Sequence, residues 1–499
     1  MIKNYGLKES SREHFFSNDI KNIMLIRNAS YIGGEWIYAK DNKSIPVYNP
    51  ASEQCIGNVT SLSQDECANV ISVAQNSFMA WAKLSPSERS QFLLEWYNLI
   101  ITNKHDLAMV IVLEQGKPIS EAIGEIDYAA SFVKFYSEEA ACPNEQTLNP
   151  HLTNATMNVY REPIGVSALI TPWNFPSAMI TRKAAAAMAA GCSIIIHPSC
   201  ETPFSALALA VLAEKAGFPP GVFNVITGQA KEVVGTLMQD VRVRAISFTG
   251  STEIGKLLYG QSAKTLKRMI LELGGHAPYI VFDDADIEKA VEEAIKAKFE
   301  TSGQDCLGAN RFFIHKSKYD EFCEKFTLCA QKLTIGHGIN DPDIGPLMNK
   351  KAILKQEIHV ADALKKGARL LTGGKRHNAG SLFYEPTVLC DVPDNALIMS
   401  EETFGPVAAI TSFETEEEVI HRANETEYGL IAYLHTDDEG RIGRLSRELE
   451  FGMIGVNRTH VTGAPIPFGG IKQSGVEREG SRLGMEAFMQ VKYVCRNVG

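Results

Sequence analysis

The sequence predicts an α/β protein with a doubly wound parallel sheet, a second α/β domain and a small additional β segment, and three observations support this fold class. The chain has 499 residues, too many for a single hydrophobic core, so two or three domains are expected. From about residue 164 to 273, helix-like and strand-like segments alternate, and a second alternating region runs from about 274 to 457. Such alternation predicts parallel strands joined by helices, with ligands bound at the carboxyl ends of the strands.

The first alternating region contains four strand-like apolar runs: 166–171, 193–196, 222–226 and 245–248. Between the first two lies an alanine-rich helix-like run, 182–190, which Gly191 ends. Another helix is predicted to begin after Thr202, because threonine is a common N-cap and Pro203 suits the first helical position.

The second alternating region has the same character. Its strand-like runs are 279–282, 311–315, 407–413 and 453–456, and its helix-like runs are 287–299, 317–332, 349–366 and 438–449. Two further strand-like pieces, 157–160 and 491–495, fit neither region and would be surplus edges in a compact α/β core.

Composition excludes several classes of protein. The formal net charge is −10, and 45% of the residues are hydrophobic, which is typical of a globular protein without a nucleic-acid or anionic-membrane surface. The ten cysteines show no CxxC pair, so no metal site and a reducing compartment are expected. The longest apolar run, 184–196, is too short to cross a bilayer, and the N-terminus resembles no targeting peptide, which predicts a cytoplasmic location.

Three short segments carry residues suited to thioester chemistry. Cys306 lies on a loop of small and turn-forming residues, where a thiol can be approached closely. Glu272 ends an apolar strand just before a Gly-Gly pair, and Asn174 lies in a turn bracketed by prolines. A nucleophile, a general base and an amide donor for an oxyanion are the parts that such chemistry needs.

In their order and in their amino-acid sequences, these segments resemble motifs of the NAD(P)-dependent aldehyde dehydrogenase superfamily. The resemblance extends from about Tyr31 to the C-terminus. The resemblance implies oxidation of an aldehyde to an acid through a thioester on Cys306, with Glu272 as base, Asn174 as oxyanion donor and Lys183 as a supporting residue. It implies an N-terminal extension and three functional parts of the chain. These are 1–27 for the extension, 28–143 and 163–273 for cofactor binding, 274–460 for catalysis, and 144–162 and 485–499 for bridging in a homo-oligomer, a dimer or tetramer.

The same resemblance implies a set of cofactor-binding residues. They are Thr171, Pro172, Trp173, Asn174, His197, Pro198, Ser199, Cys200, Gly228, Gly250, Ser251, Leu273, Glu402 and Phe404. Cys200 stands where the family has a ribose-binding glutamate, so the repulsion of a 2′-phosphate is lost and NADP becomes admissible beside NAD. His197 replaces a lysine, and it either adds positive charge to a phosphate or is a satisfied polar side chain at a strand end.

The amino-acid sequence around Arg182 and around Phe468 resembles the succinate-semialdehyde dehydrogenase branch, which suggests the class of substrate. Arg182 would meet the substrate carboxylate, and Thr462 lies in a loop near Phe468. Glu300 stands where that branch has a second arginine, which favours a neutral or amino aldehyde as the alternative substrate.

Two residues of the nucleophile loop depart from the pattern. Asp305 precedes the nucleophile, and it is predicted to point away from the thiol because a nearby carboxylate would raise the thiol's pKa. Gly308 stands where the branch has a second cysteine, so a vicinal redox disulfide is excluded.

Three competing functions remain open at this stage. A non-catalytic scaffold of the same fold usually loses its nucleophile, whereas this chain keeps Cys306. A CoA-acylating dehydrogenase would not need Glu272 as a base. A nucleotide phosphotransferase would need a serine or threonine in place of Leu257, after the P-loop-like spacing 250–256.

Overall fold

The computed structural model describes residues 20–142 and 145–498. Most of the predicted N-terminal extension, 1–27, therefore lies outside the described residues. Its last part packs against the first α/β region, with Ile20, Leu25 and Ile26 buried in the core. The backbone N–H groups of residues 21 and 22 donate to the Asp106 carboxylate at 3.0 and 2.9 Å.

The strands of the described residues are numbered in chain order. They are β1 (Ser30–Ile32), β2 (Glu35–Ile37), β3 (Ser44–Tyr48), β4 (Cys55–Thr60), β5 (Glu145–Leu148), β6 (Ala155–Pro163), β7 (Val166–Ile170), β8 (Ile194–His197), β9 (Phe223–Val225), β10 (Val243–Thr249), β11 (Arg268–Glu272), β12 (Ala277–Val281), β13 (Ala309–His315), β14 (Arg369–Thr372), β15 (Thr387–Cys390), β16 (Val407–Phe413), β17 (Ile431–His435), β18 (Met453–Val456), β19 (Gly475–Val476) and β20 (Met489–Asn497). The predicted strand-like runs in the two alternating regions agree with these bounds to within about two residues.

The α-helices follow the same numbering. They are α1 (Gln64–Lys83), α2 (Pro86–Thr102), α3 (Lys104–Gln115), α4 (Ile119–Glu139), α5 (Ala178–Ala190), α6 (Pro203–Lys215), α7 (Ala230–Gln239), α8 (Thr252–Ser262), α9 (Ile287–Phe299), α10 (Tyr319–Ala330), α11 (Lys350–Lys365), α12 (Leu397–Ser400), α13 (Glu416–Asn424), α14 (Glu439–Glu448) and α15 (Ser481–Glu486).

The first sheet has the order β19-β11-β10-β7-β8-β9-β1-β2. Its five central strands, β11 to β9 in that order, are parallel, while β19 at one edge and β1 and β2 at the other run antiparallel to their neighbours. Because the chain moves outward in both directions from β7, the point between β7 and β10 is a topological switch point. In open α/β sheets a ligand binds at such a point, beyond the carboxyl ends of the strands.

The second sheet has the order β14-β15-β16-β13-β12-β17-β18, parallel except for β14 at the edge. The chain passes from the first sheet to the second over the four residues between β11 and β12. Glu272 ends β11, so it lies where the two sheets meet. The predicted α/β fold class, with a doubly wound parallel sheet and a second α/β region, is confirmed.

The two surplus strand-like pieces pair with each other in a third sheet. The strand β6 lies between β5 and β20, and it pairs with β20 along nine residues, from Pro163 opposite Met489 to Ala155 opposite Asn497. Every residue of β20 after Met489 is exposed, including Val491 and Tyr493. The fourth sheet is the antiparallel pair of β3 and β4.

The N-terminus of α6 is capped by a carboxylate that is distant in sequence. Thr202 holds the N-cap position of α6 as predicted, but its hydroxyl makes no capping hydrogen bond. Instead the buried Glu114 carboxylate accepts from the N–H groups of Phe204 and Ser205 at 2.7 and 2.8 Å, and burial raises the pKa of Glu114 to about 8. The predicted N-cap position of Thr202 and start at Pro203 are thus correct, but a side chain remote in sequence supplies the hydrogen-bond acceptor.

Candidate active site

A cleft of about 320 Å³ opens at the carboxyl ends of β7, β10 and β11. Ten of the predicted site residues line it: Pro172, Trp173, Asn174, Gly250, Ser251, Glu272, Leu273, Cys306, Glu402 and Phe404. Loops from both large sheets therefore meet in one cleft, at the switch point of the first sheet.

Close backbone contacts fix the loop that carries Cys306. Gly303 has φ +71°, and a Cβ there would lie 2.4 Å from the carbonyl oxygen of Gly405. A Cβ on Gly275 would lie 2.3 Å from the carbonyl oxygen of Cys306 itself. Only glycine allows these approaches, so the nucleophile loop packs against both the Glu272 segment and the Glu402 segment.

The Glu272 carboxylate is buried next to the Cys306 thiol. Its side chain is 1% exposed, and neither oxygen receives a hydrogen bond from the nitrogen and oxygen donors that the structure describes. Burial raises the pKa of Glu272 to about 7, although the nearby cations Arg182 and Lys183 oppose the shift. A carboxylate in this range can accept a proton near neutral pH.

The Cys306 thiol lies among carboxylates. Burial, and then the charges of Glu272 and Asp305, raise the pKa of Cys306 well above its usual value. The Asp305 carboxylate accepts from the backbone N–H of Leu307 at 3.0 Å and also interacts with the thiol. The prediction that Asp305 points away from Cys306 is therefore wrong, because this short turn directs the carboxylate back over the nucleophile.

Asn174 is held at both ends. Its Nδ2 donates to the backbone carbonyl of Gln304 at 3.1 Å, next to the nucleophile loop. The backbone carbonyl of Asn174 accepts from Lys117 Nζ at 2.8 Å. Lys117 also forms an ion pair with Glu125 at 2.7 Å, and both side chains are 1% exposed. Glu125 in turn accepts from the N–H of Ser177, at the start of α5. Sequence reasoning missed Lys117 and Glu125 because they come from α4 and the segment before it.

A buried ion cluster lies behind Glu272. Arg182 Nε is 2.6 Å from Glu479 Oε2, and Lys183 pairs with the other oxygen of Glu479. Lys183 Nζ also donates to Thr249 Oγ1 at 2.6 Å. Lys183 is fully buried, and Glu479 is a site residue that the sequence did not single out, because it lies about 300 residues from its partners.

The three predicted substrate residues lie together. The Arg182 guanidinium stacks over the Phe468 ring at 4.1 Å. Tyr128 lies close to both Thr462 and Arg182. Burial disfavours the charged form of Arg182, but the charges of Glu479, Tyr128 and Glu272 together raise its pKa, so the guanidinium stays charged.

Glu300 differs from Arg182 in exposure. Its side chain reaches solvent, yet the surrounding protein displaces enough water to raise its pKa to about 7, and Asp305 adds to the shift. Glu121 binds the next residue by accepting from the Thr301 N–H at 3.1 Å. Three carboxyl groups thus lie around this loop, with Glu300 exposed and Glu121 and Asp305 partly buried.

The remaining predicted cofactor residues follow the strands next to the switch point. Thr171 follows β7, while His197, Pro198, Ser199 and Cys200 end or follow β8, and Gly228 follows β9. His197 is 3% exposed, its Nδ1 donates to the carbonyl of Ile226 at 3.2 Å, and burial lowers its pKa to about 4. It is therefore neutral at pH 7, so the satisfied-polar reading holds and the phosphate-binding cation is wrong.

Cys200 is half-buried, and its thiol donates to the carbonyl of Gly228 at 3.2 Å. The neighbouring Glu201 is directed elsewhere, since its carboxylate accepts from Asn349 Nδ2 at 2.8 Å. No carboxylate thus replaces the family's glutamate at this position.

The cleft suits an anionic dinucleotide. The N-terminus of α8 opens into it, with Ser251 as N-cap, and helix N-termini favour phosphates. Two lysines that sequence reasoning missed, Lys351 and Lys355 on α11, also line the cleft. At the other end, the Phe404 ring meets Trp173 edge-on at 5.6 Å, and Glu402 accepts from the Gly275 N–H at 2.9 Å.

The described residues contain neither a candidate metal site nor a candidate membrane span. No group of three or more histidine, cysteine, aspartate or glutamate side chains there is arranged to hold a metal ion. Among the helices described, none is both long and apolar enough to span a bilayer.

The strand order of the first sheet is that of dinucleotide-binding folds, and the cleft at its switch point combines a buried thiol with a buried carboxylate. Fold and cleft together define a dinucleotide-dependent oxidoreductase.

Comparison with known proteins gives the family. The model of the aldehyde dehydrogenase family matches residues 36–494. An aspartate-semialdehyde dehydrogenase (non-phosphorylating) of Halomonas elongata is 48% identical over 96% of this chain and 97% of its own length. An NADP(+) succinate-semialdehyde dehydrogenase of Escherichia coli is 48% identical over 94% of this chain and 98% of its own length.

A crystal structure of succinate-semialdehyde dehydrogenase from Burkholderia pseudomallei superposes with a TM-score of 0.95 at 47% identity. The superposition covers 96% of this chain and 100% of that one. The chain belongs to the aldehyde dehydrogenase family and is an NAD(P)-dependent oxidoreductase that oxidises aldehydes, as the sequence predicted.

Proposed function

We propose that this enzyme oxidises a short ω-carboxy aldehyde, succinate semialdehyde first, to the dicarboxylic acid, with Cys306 as nucleophile. The observation that supports this proposal most directly is the cleft, which is lined by Cys306, Glu272 and Asn174 together. The substrate class is supported by Arg182, which keeps its charge beside Phe468 and Thr462, and by the succinate-semialdehyde dehydrogenases among the relatives.

In the proposed reaction, the Cys306 thiol passes its proton to Glu272, the carboxylate within hydrogen-bonding reach. The sulfur then adds to the aldehyde carbonyl. The free N–H of the Asn174 amide and the Cys306 backbone N–H stabilise the resulting oxyanion, and each such donor contributes about 3–4 kcal/mol. Lys117 keeps Asn174 in place through its carbonyl.

A nicotinamide bound in the cleft would supply the hydride acceptor that allows the thiohemiacetal on Cys306 to become a thioester. Glu272 first releases to solvent the proton that it took from Cys306. It then removes a proton from water, which attacks the thioester and releases the acid and the Cys306 thiolate. A buried base next to the nucleophile supports water, and not CoA, as the acceptor, and it argues against a non-catalytic scaffold.

For the cofactor, the α8 N-terminus with Gly250 and Ser251 would hold the pyrophosphate, and Lys351 and Lys355 would supply positive charge. Glu402 would hold the nicotinamide ribose, and Phe404 would pack near the nicotinamide ring.

Since Cys200 puts no carboxylate at the adenosine ribose, we expect Cys200→Glu to shift the ratio of the kcat/KM values for NAD and NADP towards NAD. An unchanged NAD/NADP ratio would assign the choice to another residue.

A second substrate class is favoured by the charges beside Cys306. Glu479 already neutralises Arg182, whereas Glu300, Asp305 and Glu121 add carboxyl groups around the nucleophile loop, and of these Glu300 is exposed. Such a site suits an aldehyde that carries an ammonium group, with or without a carboxylate.

A panel of four aldehydes tests both classes: succinate semialdehyde, butyraldehyde, 4-aminobutyraldehyde and aspartate semialdehyde. For an ω-carboxy substrate, succinate semialdehyde should exceed butyraldehyde in kcat/KM by roughly 10–200-fold, the value of a charge-assisted contact. Glu300→Arg should increase that preference, and Glu300→Gln serves as the control for charge removal alone.

If 4-aminobutyraldehyde or aspartate semialdehyde is instead the best substrate, and Glu300→Gln removes that advantage, the ammonium class replaces the ω-carboxy class. The thioester mechanism is judged separately, by whether any aldehyde yields reduced cofactor.

We further propose that β20 pairs with a second copy of the chain and that the enzyme is a homo-oligomer, a dimer or tetramer, in the cytoplasm. The exposed apolar residues of β20 and the ten free thiols support these proposals.

A further inference from the structure

Two of the ten cysteines lie in direct contact, away from the cleft. Cys323 is on α10, and Cys390 is the last residue of β15 in the second sheet. Their sulfur atoms are 3.1 Å apart, and the Cys390 thiol donates to the Cys323 sulfur. Both are free thiols, and neither lines the cleft that holds Cys306.

Hydrogen bonds hold the two elements together at this point. The Tyr319 hydroxyl, in the first turn of α10, donates to the Asp391 carboxylate at 2.9 Å. The backbone N–H of Asp391, the residue after Cys390, donates back to the Tyr319 oxygen at 2.8 Å. The Phe322 and Phe326 side chains of the same helix are fully buried in the core. The two thiols are therefore kept side by side by contacts that do not involve sulfur.

The distance between the sulfurs is close to that of a covalent link. A disulfide needs about 2.05 Å between sulfurs, so the pair has to close by about 1 Å, which small side-chain rotations can provide. We propose that Cys323 and Cys390 are a modification site, at which a peroxide converts the two thiols into a reversible intramolecular disulfide.

The reaction balances with one peroxide molecule. Cys323 is 6% exposed and Cys390 is 0% exposed, so hydrogen peroxide reaches Cys323 first. The Cys323 sulfur takes one oxygen atom to form a sulfenic acid, and one water molecule is released. The Cys390 sulfur then attacks that sulfenic acid, the S–S bond forms, and a second water leaves. The two thiols lose two electrons and two protons in total, and the peroxide is reduced to water.

The bond would restrain the second sheet. It closes a loop from residue 323 to 390, which includes α11 and its cleft lysines Lys351 and Lys355. Cross-links over long loops stabilise mainly by restricting the unfolded chain. The contact with Cys390 and burial raise the pKa of the Cys323 thiol, so the oxidation should become faster as the pH increases.

The experiment uses the full-length Cys306→Ser protein, in which the active-site thiol does not consume oxidant. After brief treatment with hydrogen peroxide and removal of the excess, free thiols are alkylated in denaturant and the protein is digested with trypsin without reduction. Lys325 lies between Cys323 and Cys329, so the peptides of these two cysteines separate. We expect a linked peptide pair containing Cys323 and Cys390, two hydrogen atoms lighter than the sum, which dithiothreitol separates.

Matched variants locate the effect. Oxidation should raise the Tm by several degrees in the Cys306→Ser protein and in a version that also carries Cys329→Ser, a cysteine on the same helix. Adding Cys323→Ser or Cys390→Ser should abolish both the linked peptide and the shift. The proposal is overturned if both thiols stay alkylatable while exposed Cys495 is oxidised, or if they oxidise separately to sulfinic acids.

Discussion

The Glu272 carboxylate receives no hydrogen bond from the nitrogen and oxygen donors described around it, and this isolation controls its response to pH. Its pKa is raised to about 7 by burial, so it is protonated below that pH and ionised above it. Only the ionised form accepts a proton from water. We therefore expect kcat to rise with pH up to about 7 and then to level off.

Glu272→Gln should lower steady-state turnover by roughly 10²–10⁴-fold, the usual scale for a lost acid–base group, and should remove the rise below pH 7. At alkaline pH, where solvent can deprotonate Cys306, a first-turnover burst of reduced cofactor should persist. The measurement is stopped-flow absorbance at 340 nm over a pH series. A variant with the wild-type kcat and pH profile would exclude Glu272 as the base.

Asp305 adds a second negative charge next to the nucleophile. Removing it should lower the pKa of Cys306, because a like charge disfavours the thiolate. We expect Asp305→Thr to increase the rate at which iodoacetamide labels Cys306 at pH 7, by about tenfold for each unit by which the pKa falls. Asp305→Glu keeps the charge and is the control. Equal labelling rates in all three proteins would mean that Asp305 has no electrostatic effect on the thiol.

At the scale of elements, the sequence predicted many helices and strands of both alternating regions, because their hydrophobic patterns are local. It missed β15 and β17 of the second sheet and the first turn of α5. It also placed Cys306, Glu272 and Asn174, each of which lies in a recognisable short segment. It could not show that Glu114 caps α6 or that Glu479 pairs with Arg182, because those contacts join residues far apart in the chain. The burial that keeps His197 neutral is likewise a property of the packed fold.

The buried Lys117–Glu125 ion pair also joins residues far apart in the chain, because Lys117 binds the Asn174 backbone carbonyl and Glu125 binds the Ser177 N–H. Its role can be tested by substitution. Removing only Lys117 would leave Glu125 as an unpaired buried charge and cost about 3–5 kcal/mol. The double substitution Lys117→Met with Glu125→Gln avoids this. We expect it to fold with a Tm near that of the wild type but to lose at least tenfold in kcat, because the Asn174 carbonyl has lost its donor.

A matched control is the exposed pair Lys104–Asp127, 3.0 Å apart on the neighbouring helices α3 and α4. Its double substitution, Lys104→Met with Asp127→Asn, should leave kcat unchanged. If both double variants retain full kcat with an unchanged KM for the aldehyde, the Lys117–Glu125 pair does not position Asn174.

On the scale of the whole molecule, the strand β20 is the surface most suited to a second copy of the chain. Val491 and Tyr493 are 69% and 51% exposed, and alternate residues of a strand share one face. We expect Val491→Asp with Tyr493→Asp to reduce the molar mass in solution, measured by size-exclusion chromatography with light scattering. Lys492→Gln on the opposite face is the control. An unchanged mass in the double variant would exclude this strand as the interface.

The position of Glu479 near the end of the chain has a consequence for protein synthesis. Arg182 and Lys183 leave the ribosome almost 300 residues before Glu479, the carboxylate that neutralises them. The strands β11 and β6 are likewise synthesised long before β19 and β20, with which they pair. Until β19, Glu479 and β20 are made, the nascent polypeptide holds two cations whose burial is unfavourable and two strand edges without neighbours. Messages truncated before codon 475 would therefore yield inactive, aggregation-prone products, and a ribosome pause before that codon would prolong the need for a chaperone.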